Sequence, residues 1–247
     1  MSASGPGDTV ASLRARLART ERDASARQHQ LERYAADLRE VFKQERARAQ
    51  ELQSSYKATV QALSNAVEAR DAYTGKHAER VTAYGIAIAD ASGLDTEHRP
   101  GIEFGFLLHD VGKVGVPDAV LFKASALSAD EFSLVARHPV IGSEILRGVH
   151  FLGEGKLVVR HHHERWDGTG YPDYLSGEEI PLPARVFAVA DALDALTTDR
   201  PYRHATGWDM AREEILASAG THFDPDVVAA FATIPDERFA DLRDRVT

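Results

Sequence analysis

The sequence predicts an all-α fold, a helical bundle preceded by one long N-terminal helix, on three observations. No stretch sustains the period-two alternation of apolar and β-branched residues that a strand requires. Residues 9–60 contain neither Pro nor Gly. Beyond residue 64, apolar residues recur at helical spacing and stop at identifiable caps.

The first eight residues, rich in Ser and Gly, are expected to be disordered. From residue 9 to 63, Leu13, Leu17, Ala24, Leu31, Tyr34, Leu38 and Val41 fall at steps of three, four or seven. A four-plus-four step through Tyr34, Leu38 and Phe42 has the spacing of a coiled-coil stutter, after which Ala49, Leu52, Tyr56 and Leu63 resume the pattern. The expectation is a long helix paired with a second copy as a parallel coiled coil, a homodimer. Weak seam positions at Thr20, Arg27 and Glu45 leave a single solvated helix as the alternative.

Residues 64–247 are expected to form the main domain. One helix runs from about Thr74 to Ser92 and stops at Gly93; the next begins near Thr96 and carries Phe104, Leu107 and Leu108 to Gly112. Ser128-Ala-Asp-Glu131 is a capping box that opens a helix ending near His138-Pro139. Pro139 fits the first turn of the following helix, which closes at Gly148. Leu182 to Thr197 is strongly apolar, Trp208 to Ala219 ends at Gly220, and Pro235 to Val246 is amphipathic. The irregular stretch from Glu164 to Pro181 is of the length that usually carries function.

Composition narrows the chemistry. There is no cysteine, so any metal must rest on His, Asp and Glu. No run of about 18 apolar residues is present, and the N-terminus lacks a signal-peptide layout, so the expected location is cytoplasmic. The net charge is −9; residues 1–60 carry 11 Lys/Arg and 8 Asp/Glu, leaving 18 and 30 for the remainder. So acidic a main domain is a poor binder of bulk nucleic acid. A phosphate substrate would need local compensation by metal ions and a few arginines.

Four places carry chemistry. Arg160-His-His-His163 precedes a glycine-rich turn, and imidazole is the commonest neutral metal ligand. His109-Asp110 follows the apolar run Phe104–Leu108, with Lys113 one turn on. A helix end with surface polar groups explains that pair equally well. Asp191 and Asp194 lie in an otherwise apolar helix, where a carboxylate is costly unless paired or metal-bound; Arg200 and Arg203 are the candidate partners. His77 and His138, taken singly, read as surface residues. His161 is ambiguous beside His162 and His163.

In combination these residues resemble a family. The order His77, His109-Asp110, Asp191 is similar to the HD phosphohydrolase superfamily. Further motifs narrow it: Asp71-Ala-Tyr-Thr-Gly-Lys-His77, His109-Asp-Val-Gly-Lys113, His138-Pro-Val-Ile-Gly142, His162-His-Glu-Arg-Trp-Asp-Gly-Thr-Gly170-Tyr171-Pro172, Ile180-Pro-Leu-Pro-Ala-Arg185, Asp199-Arg200-Pro-Tyr-Arg203 and Phe223-Asp-Pro225. From about residue 64 to 232 the chain resembles the HD-GYP domain, the bacterial phosphodiesterase of cyclic di-GMP.

That resemblance implies an HD-type bundle with two divalent metals. His77, His109, Asp110 and Asp191 would hold one, and Asp110 would bridge to a second on His138, His162 and His163. Lys113 would meet a scissile-side phosphate or the leaving oxygen. Arg200 and Arg203 would clamp phosphates or guanine, with Asp71 and Asp194 beside them. Tyr171, in the loop that names the family, would border the substrate and help engage diguanylate cyclase (GGDEF) domains. Two metals about 3.5–4 Å apart can activate a bridging hydroxide for in-line attack. Carboxylate plus imidazole without thiolate favours Fe or Mn and permits Zn, Ni or Co.

One departure bears on the product. Some members carry a glutamate four residues before the first His; here that residue is Tyr73, and Glu68 does not match the position. Two metals, and hydrolysis to linear pGpG with GMP slow or absent, are the expectation. The alternative function is a non-catalytic cyclic di-GMP receptor or an interaction module for GGDEF domains. Other HD enzymes are disfavoured by the Gly170-Tyr171-Pro172 loop and the Arg200/Arg203 pair.

Overall fold

The computed structural model describes residues 10–70, 76–123, 125–199 and 204–246. Among them there are eleven α-helices and no strand: α1 (Val10–Glu68), α2 (His77–Ala91), α3 (Gly101–Leu107), α4 (Asp118–Leu121), α5 (Ala129–Val135), α6 (His138–Ile145), α7 (Gly155–His161), α8 (Leu182–Thr197), α9 (Trp208–Ala217), α10 (Pro225–Ala232) and α11 (Asp236–Val246). Short 3-10 turns occupy Val111–Gly115, His150–Leu152 and Gly177–Glu179. No described helix is long and apolar enough to cross a membrane.

The chain divides into two units, Met1–Tyr56 and Lys57–Thr247. In the first, the described residues are one continuous helix whose apolar residues stay in solvent: Leu31, Leu38 and Phe42 are 66%, 69% and 71% exposed.

The second unit is built around α2 and α8. Val81, Tyr84 and Ile88 pack with Val186, Phe187, Val189 and Leu193, and Ala211, Ile215, Phe231 and Phe239 from α9, α10 and α11 close the cluster. A second cluster joins the end of α1 (Val60) to Phe104, Leu107, Leu108, Leu146, Leu152 and Val159. Here lies the reason α1 runs to Glu68, beyond the expected end at 63. Val60 and Ser64 are buried, and the Ser64 hydroxyl donates to the Leu107 carbonyl at 2.8 Å. Tertiary contact extends the helix past the point where the seam pattern stops.

Element edges follow local chemistry. Ser128 and Glu131 form the full capping box that starts α5. The start of α3 moves from the expected Thr96 to Gly101. The Asp95 carboxylate accepts from the His98 amide at 3.0 Å, closing a turn, and Pro100 then sets the helix start. Helices α4, α7 and α10 are not among the elements the sequence predicts. Helix α7 opens at Gly155 with no side-chain cap, and α10 opens with Asp224 capping the Asp226 amide and Pro225 in the first turn.

Candidate metal centre

The candidate ligands sit where helices start or stop. His77 and His138 are the first residues of α2 and α6, and His162-His163 follow α7. His109-Asp110 lie between α3 and the Val111–Gly115 turn, and only Asp191 sits within a helix, α8. Two sets emerge, His77/His109/Asp191 and His138/His162/His163, each with ligand atoms within 4.8 Å of one another. Asp110 lies between them. Its Oδ2 is 3.1 Å from His109 Nε2, and its Oδ1 is 3.3 Å from His138 Nε2.

Backbone carbonyls decide which ring nitrogens are available. His109 Nδ1 lies 2.9 Å from the Phe106 carbonyl, and His138 Nδ1 lies 2.8 Å from that of Val135. His162 Nδ1 reaches the carbonyls of Val158 and Val159 at 3.2 and 3.1 Å. A carbonyl only accepts, so each Nδ1 carries the proton and each Nε2 presents a lone pair. His77 follows the same logic with a carboxylate, its Nδ1 2.7 Å from Asp194 Oδ2 and its Nε2 3.5 Å from Asp191 Oδ1. Outer partners of this kind fix the tautomer of metal-bound histidines.

The donor set fits a cation. His138 Nε2 and His162 Nε2 stand 3.1 Å apart, two lone pairs facing each other. Such a contact is repulsive unless a proton or a metal ion compensates. A proton is disfavoured: burial, then the neighbouring imidazoles, hold His162 well below the ordinary histidine range, and burial with His138 brings His163 down to about 3. Burial lowers His138 as well. Burial works against ionised Asp110, yet Lys113, at 2.7 Å from Oδ2, together with His109 and His138 keeps its carboxyl well below the carboxylate range. At His109 burial acts downward, but Asp110 and Asp191 outweigh it and raise the group. The same acids that favour a proton there favour a cation.

Asp194, for which an outer role behind the ligands is as much expected as a substrate contact, is bound by two side chains of α2. It is 1% exposed, and Arg80 grips it with Nε–Oδ1 at 2.7 Å and Nη2–Oδ2 at 3.0 Å. Burial would raise its pKa, but the bonds to His77 and Arg80 lower it. One turn of α8 therefore offers Asp191 to one nitrogen of His77 and Asp194 to the other. Arg80, three residues after His77, was missed; its spacing on the same helix face was the available signal. Glu68, which does not match the ligand position, does something else. Its Oε1 accepts from the Ala78 amide at 2.5 Å, capping α2, whose own N-cap residue Lys76 makes no side-chain cap.

His161 belongs to neither set. It is buried near Glu164 and Asp173, whose carboxylates are already engaged. Glu164 accepts from the amides of Asp173 and Leu175, and Arg160 binds Asp173 through two 2.7 Å contacts. These bonds tie down the loop that carries Tyr171-Pro172, joined by a cis peptide. Tyr171 packs against His163 with ring centroids 4.8 Å apart. Gly170 permits this approach, because a Cβ there would lie 2.3 Å from the Arg165 nitrogen and 2.6 Å from the His163 carbonyl oxygen. The motifs around Arg185 and Asp224 meet as an ion pair, with Asp224 buried. Asp71, Tyr73, Arg200 and Arg203 lie outside the described residues.

Residues 61–227 match the HD domain family model. The chain is 43% identical over 182 residues, 73% of its length and 48% of the relative's, to the cyclic di-GMP phosphodiesterase response regulator RpfG of Xanthomonas campestris. It is 38% identical to the 3'3'-cGAMP-specific phosphodiesterase 2 of Vibrio cholerae, across 77% of this chain and 37% of that protein. The chain thus spans about half or less of these relatives. In fold it is similar to the crystal structure of a cyclic GMP-AMP-specific phosphodiesterase of V. cholerae, with a TM-score of 0.58 at 20% identity over 76% of this chain and 52% of that one. A helical bundle with this order of histidines and aspartates, matched by the family model over residues 61–227, places the chain in the HD domain family.

Proposed function

We propose that the chain is a metal-dependent phosphodiesterase that opens cyclic di-GMP to linear pGpG. The observation carrying this reading is Asp110, one carboxylate oxygen toward each set of histidines, with two imidazole lone pairs facing each other at 3.1 Å beside it. His77, His109, Asp110 and Asp191 would hold one divalent ion; His138, His162, His163 and Asp110 would hold the second. When bound, such a pair supplies Lewis-acid charge to phosphodiester oxygens and lowers the pKa of water. The chain's own residues do the rest. Lys113, paired with Asp110, adds a cation at the centre for a phosphate oxygen or the departing 3′ oxygen. Asp194 and Arg80 hold His77 in one tautomer. Neutral imidazoles leave the loaded centre positive within an acidic domain, which suits an anionic substrate.

Relatives 43% and 38% identical bear the names of a cyclic di-GMP and a cyclic GMP-AMP phosphodiesterase, so the second dinucleotide is the competing substrate. The pGpG endpoint rests on Tyr73 in place of a further acidic ligand, and Fe or Mn on the all-N,O donor set. The Tyr171 loop, at the rim of His163, is the part of this reading that would meet a GGDEF domain. The test is purification with Fe or Mn under reducing conditions, then product analysis with both dinucleotides. Linear pGpG should accumulate, chelation should abolish turnover, and Fe or Mn should restore it. Absence of turnover with Fe, Mn, Zn, Ni and Co alike would overturn the proposal.

The same proposal gives α1 a second copy as partner. Burying a leucine side chain is worth about 1.5–3 kcal/mol, and the exposed Leu31, Leu38 and Phe42 recur along one stripe. Light scattering should report a dimer, and Leu38→Glu with Phe42→Glu should convert it to monomer. A monomeric wild type at micromolar concentration would refute the pairing.

A further inference from the structure

Helix α5 is odd in one respect: it has no buried residue. Its stability comes from the Ser128/Glu131 capping box and from Lys123, whose Nζ lies 2.6 and 2.8 Å from the two Glu131 carboxylate oxygens. Short helices without a buried face are marginal, and this one nevertheless presents a large apolar side chain, Phe132, at 51% exposure. An isolated exposed aromatic needs no explanation. Phe132 is not isolated. Its ring meets Tyr171 edge to face at 5.9 Å, and Tyr171 lies against His163 at 4.8 Å. The backbone provides a second link, since Val135, one turn later in α5, offers the carbonyl that orients His138. Phe132 is thus held to the second histidine set from two directions, by ring contacts to His163 and by the helix end to His138.

We infer that Phe132, with Tyr171 behind it, is a stacking platform for a purine base of the substrate, and so sets its affinity; this rests on the dinucleotide phosphodiesterase reading. Each phosphate of a cyclic dinucleotide is flanked by nucleosides, so a phosphate at the metals brings a base to the rim. Base stacking on an aromatic ring is strong and tolerant of base identity, because every base has a π-face. Phenylalanine has no polar group with which to read the exocyclic atoms that separate guanine from adenine. Phe132 therefore favours purine dinucleotides over purine-free diesters without choosing between cyclic di-GMP and cyclic GMP-AMP.

The experiment compares Phe132→Ala and Phe132→Trp with wild type in the metal-loaded full chain on three substrates. These are cyclic di-GMP, 3'3'-cGAMP and the purine-free diester bis(p-nitrophenyl) phosphate. Phe132→Ala should raise KM about tenfold for both dinucleotides, with kcat within about twofold and the purine-free diester unaffected. Phe132→Trp should retain wild-type KM. An unchanged KM in Phe132→Ala, an equal loss on the purine-free diester, or a Trp variant as weak as Ala would each overturn the platform. A wild type that cleaves the purine-free diester but neither dinucleotide would bring down the underlying reading instead, and the platform with it.

Discussion

Asp110→Asn is expected to cut kcat/KM by on the order of a thousandfold or more, a loss of about 4 kcal/mol of transition-state stabilisation. The change is nearly isosteric, so its effect isolates charge and donor type. One carboxylate oxygen faces His109 Nε2 at 3.1 Å and Lys113 at 2.7 Å, and the other faces His138 Nε2 at 3.3 Å. No other described carboxylate is within ion-pair distance of both histidine sets. An amide nitrogen at either position turns an anionic acceptor into a donor aimed at a cation or at an imidazole. Metal content, measured by elemental analysis of protein purified with Mn, should fall at both sites together. By contrast, a change at Asp191, which lies with His77 and His109, should affect one. Wild-type turnover, or loss confined to a single ion, would show that Asp110 is not shared.

Much of this centre is legible in the sequence because its residues are chemically conspicuous. An aspartate at 191 within Val186–Leu196, or His109-Asp110 at the end of an apolar run, stands out wherever the chain goes. Order along the chain then does the work of geometry. Helix edges set by local chemistry are equally readable, as the Ser128 box and the prolines at the start of Leu182–Thr197 illustrate. What depends on one helix meeting another is not. That Asp194 was costly to bury could be read; that Arg80 and His77 would share it depends on the rotation of α2 against α8. Glu68 capping α2 from α1 likewise joins residues ten apart on two different helices, a meeting no local pattern specifies. Helix α7 is obscured because it starts at Gly155 with no side-chain cap and ends at His161, where the histidine run begins.

Gly112→Ala is the second large effect expected, and it tests how the two histidine sets are brought together. A Cβ at residue 112 would lie 1.9 Å from the His138 carbonyl oxygen, 2.5 Å from the Gly142 nitrogen and 2.8 Å from the His138 carbonyl carbon. All three atoms are backbone, so no side chain can swing aside. Gly112 is needed for space and not for an unusual φ, since it is not among the positive-φ glycines. Relief requires the Val111–Gly115 turn and α6 to separate. That turn carries Lys113 and directly follows Asp110, while α6 begins with His138, so the separation opens the 3.3 Å gap at which Asp110 meets His138. Overpacking of this kind costs about 3 kcal/mol, which for a domain of this size lowers Tm by about 10 °C. Thermal melts of the metal-free and Mn-loaded forms should show that drop, and also a smaller stabilisation by Mn than wild type shows, because the distorted centre binds the ion less well. Gly148→Ala is the control, for a Cβ there meets nothing within 4 Å. A Gly112→Ala protein that melts with wild type and gains as much from Mn would mean that α6 and the turn can part without cost, and that their close approach does not build the centre.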